Sequence, residues 1–347
     1  MTYKYRNEFN INDKTVLVTG GTGSFGKSFI SYLLKEHNPK KIIIYSRDED
    51  KQYHLQNKLA ASFSEEKTAK VRYFIGDVRD LVRLSLATRD VDILVHAAAM
   101  KHVPTAEYNP FECVKTNING AQNIVQASLA SGVQKVIALS TDKAVNPINL
   151  YGATKLASDK IFVAANHMSG SLPTKFSNVR YGNVIGSRGS VIPYFSKLIK
   201  EGATELPITS SEMTRFWITI HQGISFVLSC MSVMEGGETF IPKIPSMKMT
   251  DVARVLAPHL PQKIIGLRPG EKLHEVMVAA DDAQHTYDFQ DRFVILPSIK
   301  FYDCEYSYLK TAITVEDYFT YASNTNGEWL SDEKFKDMVE NFSPESL

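Results

Sequence analysis

A glycine string set between an apolar run and a helical pattern constrains this chain more than any other feature. Gly20-Gly21-Thr22-Gly23-Ser24-Phe25-Gly26 follows the β-branched run Lys14 to Thr19 and opens a helix expected over Gly26 to Lys35. It satisfies GxGxxG through Gly21, Gly23 and Gly26, and GxxGxxG through Gly20, Gly23 and Gly26. Glycine permits the tight turn, close backbone approach to a pyrophosphate, and close packing of helix on strand. The helix N-terminus adds N–H groups and a partial positive charge. Alone the string is a common flexible turn. Between a strand and a helix it marks a dinucleotide site, with Gly20, Thr22, Gly23, Ser24, Phe25 and Gly26 as its residues.

Lys41 to Tyr45, Val71 to Ile75, Asp92 to Ala98 and Lys135 to Ser140 repeat the apolar theme. They are nearly continuous, as strands covered on both faces should be. Stretches long enough for crossover helices, such as Asn117 to Ser131, separate them. The expectation is an α/β fold with a doubly wound parallel sheet of Rossmann type. After Tyr181 the alternation loosens: Gly182 to Gly189 reads as a loop, and Ser190 to Lys200 as a helix with Ser190 at its N-cap. The 347 residues suggest about two domains or one large one. The expected division is a Rossmann domain over 1–182 with a returning segment at about 214–244. A smaller substrate region would span 183–213 and 245–285. Residues 286–347 form an aromatic, polar C-terminal extension without a readable motif, packed on the body or on another subunit.

Composition matters where partners are concerned. Lys plus Arg (39) balance Asp plus Glu (38), so no general field attracts nucleic acid or anionic membrane. Any bound anion must be held by local features. The three cysteines, Cys113, Cys230 and Cys304, show no CxxC or Cys/His spacing, which reads as free thiols in a reducing cytoplasm. No metal site is expected; His274-Glu275 lacks the second histidine of HExxH. No apolar signal region or long apolar window appears, so neither secretion by signal peptide nor a membrane span is expected.

The end of the second strand bears on the choice of cofactor. NAD-binding chains usually place Asp or Glu there for the ribose hydroxyls. Here Ser46-Arg47 occurs, with Lys51 one turn on. A guanidinium suits a 2′-phosphate, which favours NADP, although Asp48, Glu49 or Asp50 could still bind ribose. Asp77 and Val78 are placed to meet the adenine edge, and Ala97 and Ala98 offer small side chains to a flat ring.

Tyr151-Gly-Ala-Thr-Lys155 puts a phenol and an ammonium one helical turn apart on one face. The expectation is that the ammonium lowers the phenol's pKa, so that a phenolate takes a hydroxyl proton while hydride leaves the same carbon. With the glycine loop and a fifth strand before it, this YxxxK resembles the extended short-chain dehydrogenase/reductase family over roughly residues 12–280. Oxidation needs only Tyr151 and Lys155, yet Ser140-Thr141-Asp142-Lys143 ends the fifth strand just upstream. A carboxyl at Asp142 could protonate a leaving hydroxyl. Lys143, with a pKa depressed by burial, could abstract a carbon-bound proton made acidic by an adjacent ketone. That is the logic of a dehydratase.

The segments STDKAVNPINLYGATK, GGTGSFGK, YSRDE, IGDVRD, HAAAMKHVP, VRYGNVIGSRGSVIP, MTRFWIT and RPGEKLHE closely resemble the inverting UDP-N-acetylglucosamine 4,6-dehydratases that begin pseudaminic acid synthesis. The resemblance implies UDP-GlcNAc as substrate and an NADP that stays bound and is recycled each turnover. It also implies Asp142 and Lys143 as acid/base pair, Tyr151 and Lys155 for the oxidation beside the nicotinamide ribose, and Thr141 on the sugar's C4 oxygen. Retaining relatives typically carry Glu where Lys143 stands. For the substrate diphosphate, Arg188, Gly189, Ser190 and Val191 at a helix start and Arg268 are candidates, with Glu271 on ribose. Asn183 and Lys101 join them, Lys101 also beside the cofactor. Arg215 reads equally well as structural or catalytic. Relatives assemble as homo-oligomers, often hexamers. Two rival readings are a sugar-nucleotide C4 epimerase, which has no use for Asp142-Lys143, and a non-catalytic NADP(H)-binding module.

Overall fold

The computed structural model describes residue 5 and residues 9–187, 189–299 and 304–341. Six strands build the parallel half of one large sheet: β1 Thr15–Thr19, β2 Lys41–Ser46, β3 Val71–Ile75, β4 Ile93–His96, β5 Lys135–Thr141 and β6 Lys175–Tyr181. Four more extend it: β7 Thr239–Pro242, parallel to β6, then the antiparallel β8 Thr286–Phe289, β9 Arg292–Ile295 and β10 Ile313–Thr314. The order is β10-β8-β9-β7-β6-β5-β4-β1-β2-β3. The chain winds outward from β1 through β3, then restarts at β4 on the other side of β1. Strand order reverses there, and such a switch point opens a ligand crevice at the carboxyl ends of the strands.

The β-branched runs are continuous because both faces of the sheet are covered. Val16, Val18, Ile42 and Ile44 join one core with Phe29, Ile30 and Leu33 of α1 (Ser24–Glu36). Leu17, Ile43 and Tyr45, the alternate residues, join the opposite core with Ile124 and Val125 of a helix over Gly120–Ser131. Period two along a strand makes this division automatic. At the sheet's edge β3 departs from the expected pattern: Ile75, at the end of the terminal strand, is 47% exposed.

Two local differences from expectation bear on the site. The helix expected from Asn117 begins in a π-helical turn, Lys115–Asn119. The expected loop over Gly182 to Gly189 contains a two-residue strand, Asn183–Val184, parallel to Thr214–Ile218, which in turn pairs with Ser246–Lys248. Around this small sheet a third core gathers Ile192, Phe195, Trp217, Met247, Val252 and, from near the C-terminus, Phe335. The helix Ile220–Val233 and β7 belong to the large sheet's layer instead. Among the described residues no helix is long and apolar enough to cross a membrane.

Candidate active site

The glycine loop crosses the switch point. Gly20 leaves β1 at φ 65°, and a β-carbon there would lie 2.9 Å from the backbone of Ala97 and Ala98 beyond β4. Gly23 takes the N-cap position of α1, and no side chain caps that helix. Ser24 and Gly26 lie in its first turn, and Phe25 stacks on Phe29 at 5.5 Å, along the helix and out of the turn. Thr22 Oγ1 is 2.8 Å from Ser46 Oγ, tying the loop to the end of β2. A backbone-walled cradle at an uncapped helix end fits a dinucleotide.

Arg47 leaves β2 with its side chain 63% exposed and its guanidinium 3.9 Å from the Asp77 carboxylate. Asp48 accepts the backbone N–H of Lys51 to cap the helix Glu49–Ser62, and its carboxylate also pairs with the Lys51 ammonium. The charge run is thus partly neutralised within one turn. Burial pushes the Asp77 carboxyl up, but hydrogen bonds from Arg79 outweigh it and hold the group below the usual range. Val78 is buried against the sheet, and Lys101 is exposed in the loop after β4.

At the end of β5 the chain makes one 3₁₀ turn, Asp142–Ala144. Thr141 Oγ1 donates to Asp142 Oδ1 at 2.9 Å and accepts the Lys143 backbone N–H at 3.3 Å. Lys143 Nζ donates to Asp142 Oδ1 at 3.1 Å and stands 3.1 Å from Glu275 Oε1. The helix Leu150–Met168 presses on this turn: a β-carbon at Gly152 would lie 2.2 Å from the Lys143 carbonyl oxygen. Glycine between Tyr151 and Ala153 is what lets the phenol sit beside Asp142 and Lys143. Asp142, Lys143, Tyr151 and Thr141 are therefore one cluster.

Two electrostatic expectations are overturned. Burial alone would lower the Lys143 pKa, as the sequence suggests, but the carboxylates of Asp142 and Glu275 outweigh it and hold the ammonium up. The Tyr151 phenol is pushed up to about 12 by burial, against lowering by Lys143 and by a hydrogen bond with Thr141. Lys155 does not account for the phenol's acidity. Its ammonium donates to the Leu139 carbonyl at 2.8 Å, and burial lowers its own pKa against the pull of Asp159 one turn on. Helical spacing aligns the two Cβ atoms, but the butyl arm of Lys155 reaches β5. Asp159 is itself held by Ser140 Oγ at 2.6 Å and by Arg180 at 3.5 Å.

On the substrate side, Gly189 lies against the His102 ring, and Gly270 against Asn149 and Val103. Asn149 Nδ2 donates to the Gly270 carbonyl at 2.8 Å. The two loops proposed from sequence for the diphosphate therefore flank the same turn, next to Lys101. Ser190 is the N-cap residue of Val191–Lys200, but it does not cap as expected; its Oγ is buried without a partner. Asn183 pairs in register with Trp217, Arg268 is exposed, and Glu271 accepts from Thr209 Oγ1 at 3.3 Å. Arg188 lies outside the described residues.

Glu275 and Asn117 escape sequence reasoning, and Arg215, left open there between structural and catalytic, joins them. Glu275, 1% exposed, faces Lys143 and lies 3.7 Å from Arg215 Nε. Arg215 also donates to the carbonyls of Thr214, Lys272 and Leu273, fastening the RPGEK loop. Asn117, in the π-turn, donates to Thr154 Oγ1 and the Met100 carbonyl, both at 3.0 Å, and accepts the Met100 N–H at 2.8 Å. The available signal was a carboxylate just before the apolar run Val276–Val278, a position that buries a charge. Among the described residues no cluster of His, Cys, Asp or Glu could hold a metal ion.

A family model described as "Polysaccharide biosynthesis protein" matches residues 16–297. A Campylobacter jejuni protein named UDP-N-acetylglucosamine 4,6-dehydratase (inverting) is 57% identical over 94% of this chain and 98% of its own length. A Rickettsia akari protein named UDP-glucose 4-epimerase is 41% identical over 78% of this chain and 79% of its own. A solved structure, Pen from Bacillus thuringiensis, superposes with a TM-score of 0.84 at 37% identity, covering 95% of this chain and 98% of that one.

Proposed function

This chain belongs to the polysaccharide biosynthesis protein family, within the extended short-chain dehydrogenase/reductases, and from that premise we propose that it is an NADP-dependent, inverting UDP-GlcNAc 4,6-dehydratase. Its product would be UDP-2-acetamido-2,6-dideoxy-β-L-arabino-hex-4-ulose, the first intermediate of pseudaminic acid synthesis. The observation that carries the reading is the buried Asp142 carboxyl paired with the half-buried Lys143 beside Tyr151. Epimerisation at C4 needs the tyrosine and a hydride acceptor but gives that pair nothing to do.

A nicotinamide cofactor in the glycine cradle supplies reversible hydride acceptance from sugar C4. Support for NADP comes from Arg47 at the end of β2 and from Asp48, whose carboxylate is engaged with the Glu49–Ser62 helix and Lys51. The protein's residues then handle protons. Tyr151, as the phenolate left when its own proton passes to solvent, would take the C4 hydroxyl proton as hydride leaves. Lys143, once its ammonium proton has passed to solvent from its part-exposed side chain, would take the C5 proton. Asp142 gives its proton to the C6 oxygen, which departs as water. C6 would receive a hydride from the bound cofactor, and C5 would be reprotonated on the opposite face, so the net change is loss of one water.

Incubation with UDP-GlcNAc in D2O, followed by NMR, tests the reading. A 4-keto-6-deoxy product with deuterium at C5 and inverted C5 configuration is expected. Retained configuration would make it a retaining dehydratase, UDP-GalNAc an epimerase, and unchanged substrate a binding module.

A further inference from the structure

We propose that Glu275 is a positioning residue for this reaction: its carboxylate, together with that of Asp142, anchors the Lys143 ammonium between two elements of the chain. The inference rests on the dehydratase reading and adds to it a residue from a different part of the chain.

The geometry is that of one ammonium between two carboxylates. Lys143 Nζ is 3.1 Å from Asp142 Oδ1 and 3.1 Å from Glu275 Oε1. Both carboxyl groups are 1% exposed, and each keeps one oxygen, Asp142 Oδ2 and Glu275 Oε2, buried without a partner. They differ in their other neighbours. Glu275 also faces Arg215, 3.7 Å away, and feels Lys272 more than Asp142 does, whereas Asp142 has Thr141, Tyr151, Lys143 and the weaker pull of Lys272. The remaining ionisable groups nearby are His274, which faces Arg215, and Asp159 on the far side of Tyr151. Two like charges sharing a dry site do not both ionise easily, and the one with more cations keeps the negative charge. Burial raises the Asp142 carboxyl and the Glu275 charge raises it further; burial also opposes ionisation of Glu275, but Lys143 and Arg215 hold it below the usual range.

Glu275 is itself fixed from outside the catalytic loop. Its backbone N–H donates to Ser323 Oγ at 2.9 Å, and that hydroxyl lies 2.6 Å from Thr214 Oγ1. The free oxygen of Asp142 is where an acidic proton for the departing hydroxyl would sit.

Glu275→Gln keeps the shape and removes the charge. Asp142 and Lys143 then both release protons at lower pH. Whichever of them sets each limb, the whole pH profile of kcat is expected to move acidward, by about one unit for the loss of one adjacent charge. KM for UDP-GlcNAc should change less than about threefold, and Glu275→Asp should move the profile by less than half as much. A folded Glu275→Gln variant with the profile height reduced but its position unmoved would reduce Glu275 to a structural part and overturn the proposal. If that variant does not fold, infrared titration of the wild-type and Glu275→Asp proteins decides, through the carboxylic acid band that Asp142→Asn removes. A lower midpoint in Glu275→Asp, where the charge stands further away, is expected, and an unmoved midpoint overturns the proposal. Wild-type protein that forms no 4-keto-6-deoxy sugar would instead remove the dehydratase reading, and the infrared result would still report on Glu275.

Discussion

At the scale of single residues, charge placement decides what each group can do. The Lys143 ammonium is held up by two carboxylates, so its amine form is scarce and must be generated within the cycle. Lys143→Ala is expected to allow C4 oxidation, seen as transient NADPH absorbance, but to form no 4-keto-6-deoxy sugar. Removing the shared cation leaves two buried carboxylates facing each other, so a loss of about 3 kcal/mol in unfolding free energy should accompany it. Tyr151→Phe should slow the hydride step by about 10²-fold or more, read by single-turnover absorbance. Arg47 is the only cation of the β2 end expected from sequence that is not paired within its own turn, its nearest carboxylate being Asp77 at 3.9 Å. Arg47→Ala should weaken NADP about tenfold or more and NAD hardly at all, measured by calorimetry on cofactor-stripped protein.

At the scale of elements, one glycine sets the distance between two of them. The helix Leu150–Met168 touches the turn Asp142–Ala144 through Gly152, where any β-carbon meets the Lys143 carbonyl. Gly152→Ala must push the helix or the turn aside. A displacement of about 1 Å at a reacting group costs on the order of 10²-fold in rate, so kcat should fall by that much while cofactor stays bound. Wild-type kcat in that variant would show that the contact is slack. The YxxxK spacing was legible in sequence because helical periodicity is local. Where Lys155 ends was not, since that depends on the Leu139 carbonyl of a neighbouring strand.

At the scale of the whole molecule, residues 286–299 and 304–341 are part of the body. β8 and β9 continue the large sheet past β7, Tyr321 donates to the Ile244 carbonyl at 2.9 Å, and Ser323 supports Glu275. Ending the chain at residue 285 would bare the edge of β7 and take Phe293 and Tyr321 out of the core they share with Phe240 and Ile241. That truncation is expected to be insoluble or protease-sensitive throughout; a folded product retaining cofactor would show that the extension is dispensable. The sequence of this region carries no repeat and no dense β-branched run, because its strands are two to four residues long and pair antiparallel at one edge.

By itself the amino-acid sequence determined the alternation of strands and helices, the glycine turn at the switch point, and the presence of Thr141, Asp142, Lys143 and Tyr151 at one strand end. Those features depend on neighbours within a few residues, and periodicity or motif spacing records them. Only the tertiary structure decided the protonation of that group. Lys143 is kept charged by the adjacent Asp142 together with Glu275, 132 positions away, and Tyr151 is kept protonated by the burial that packing imposes. Electrostatic energy depends on distance through space and on exclusion of water, and neither is written along the chain.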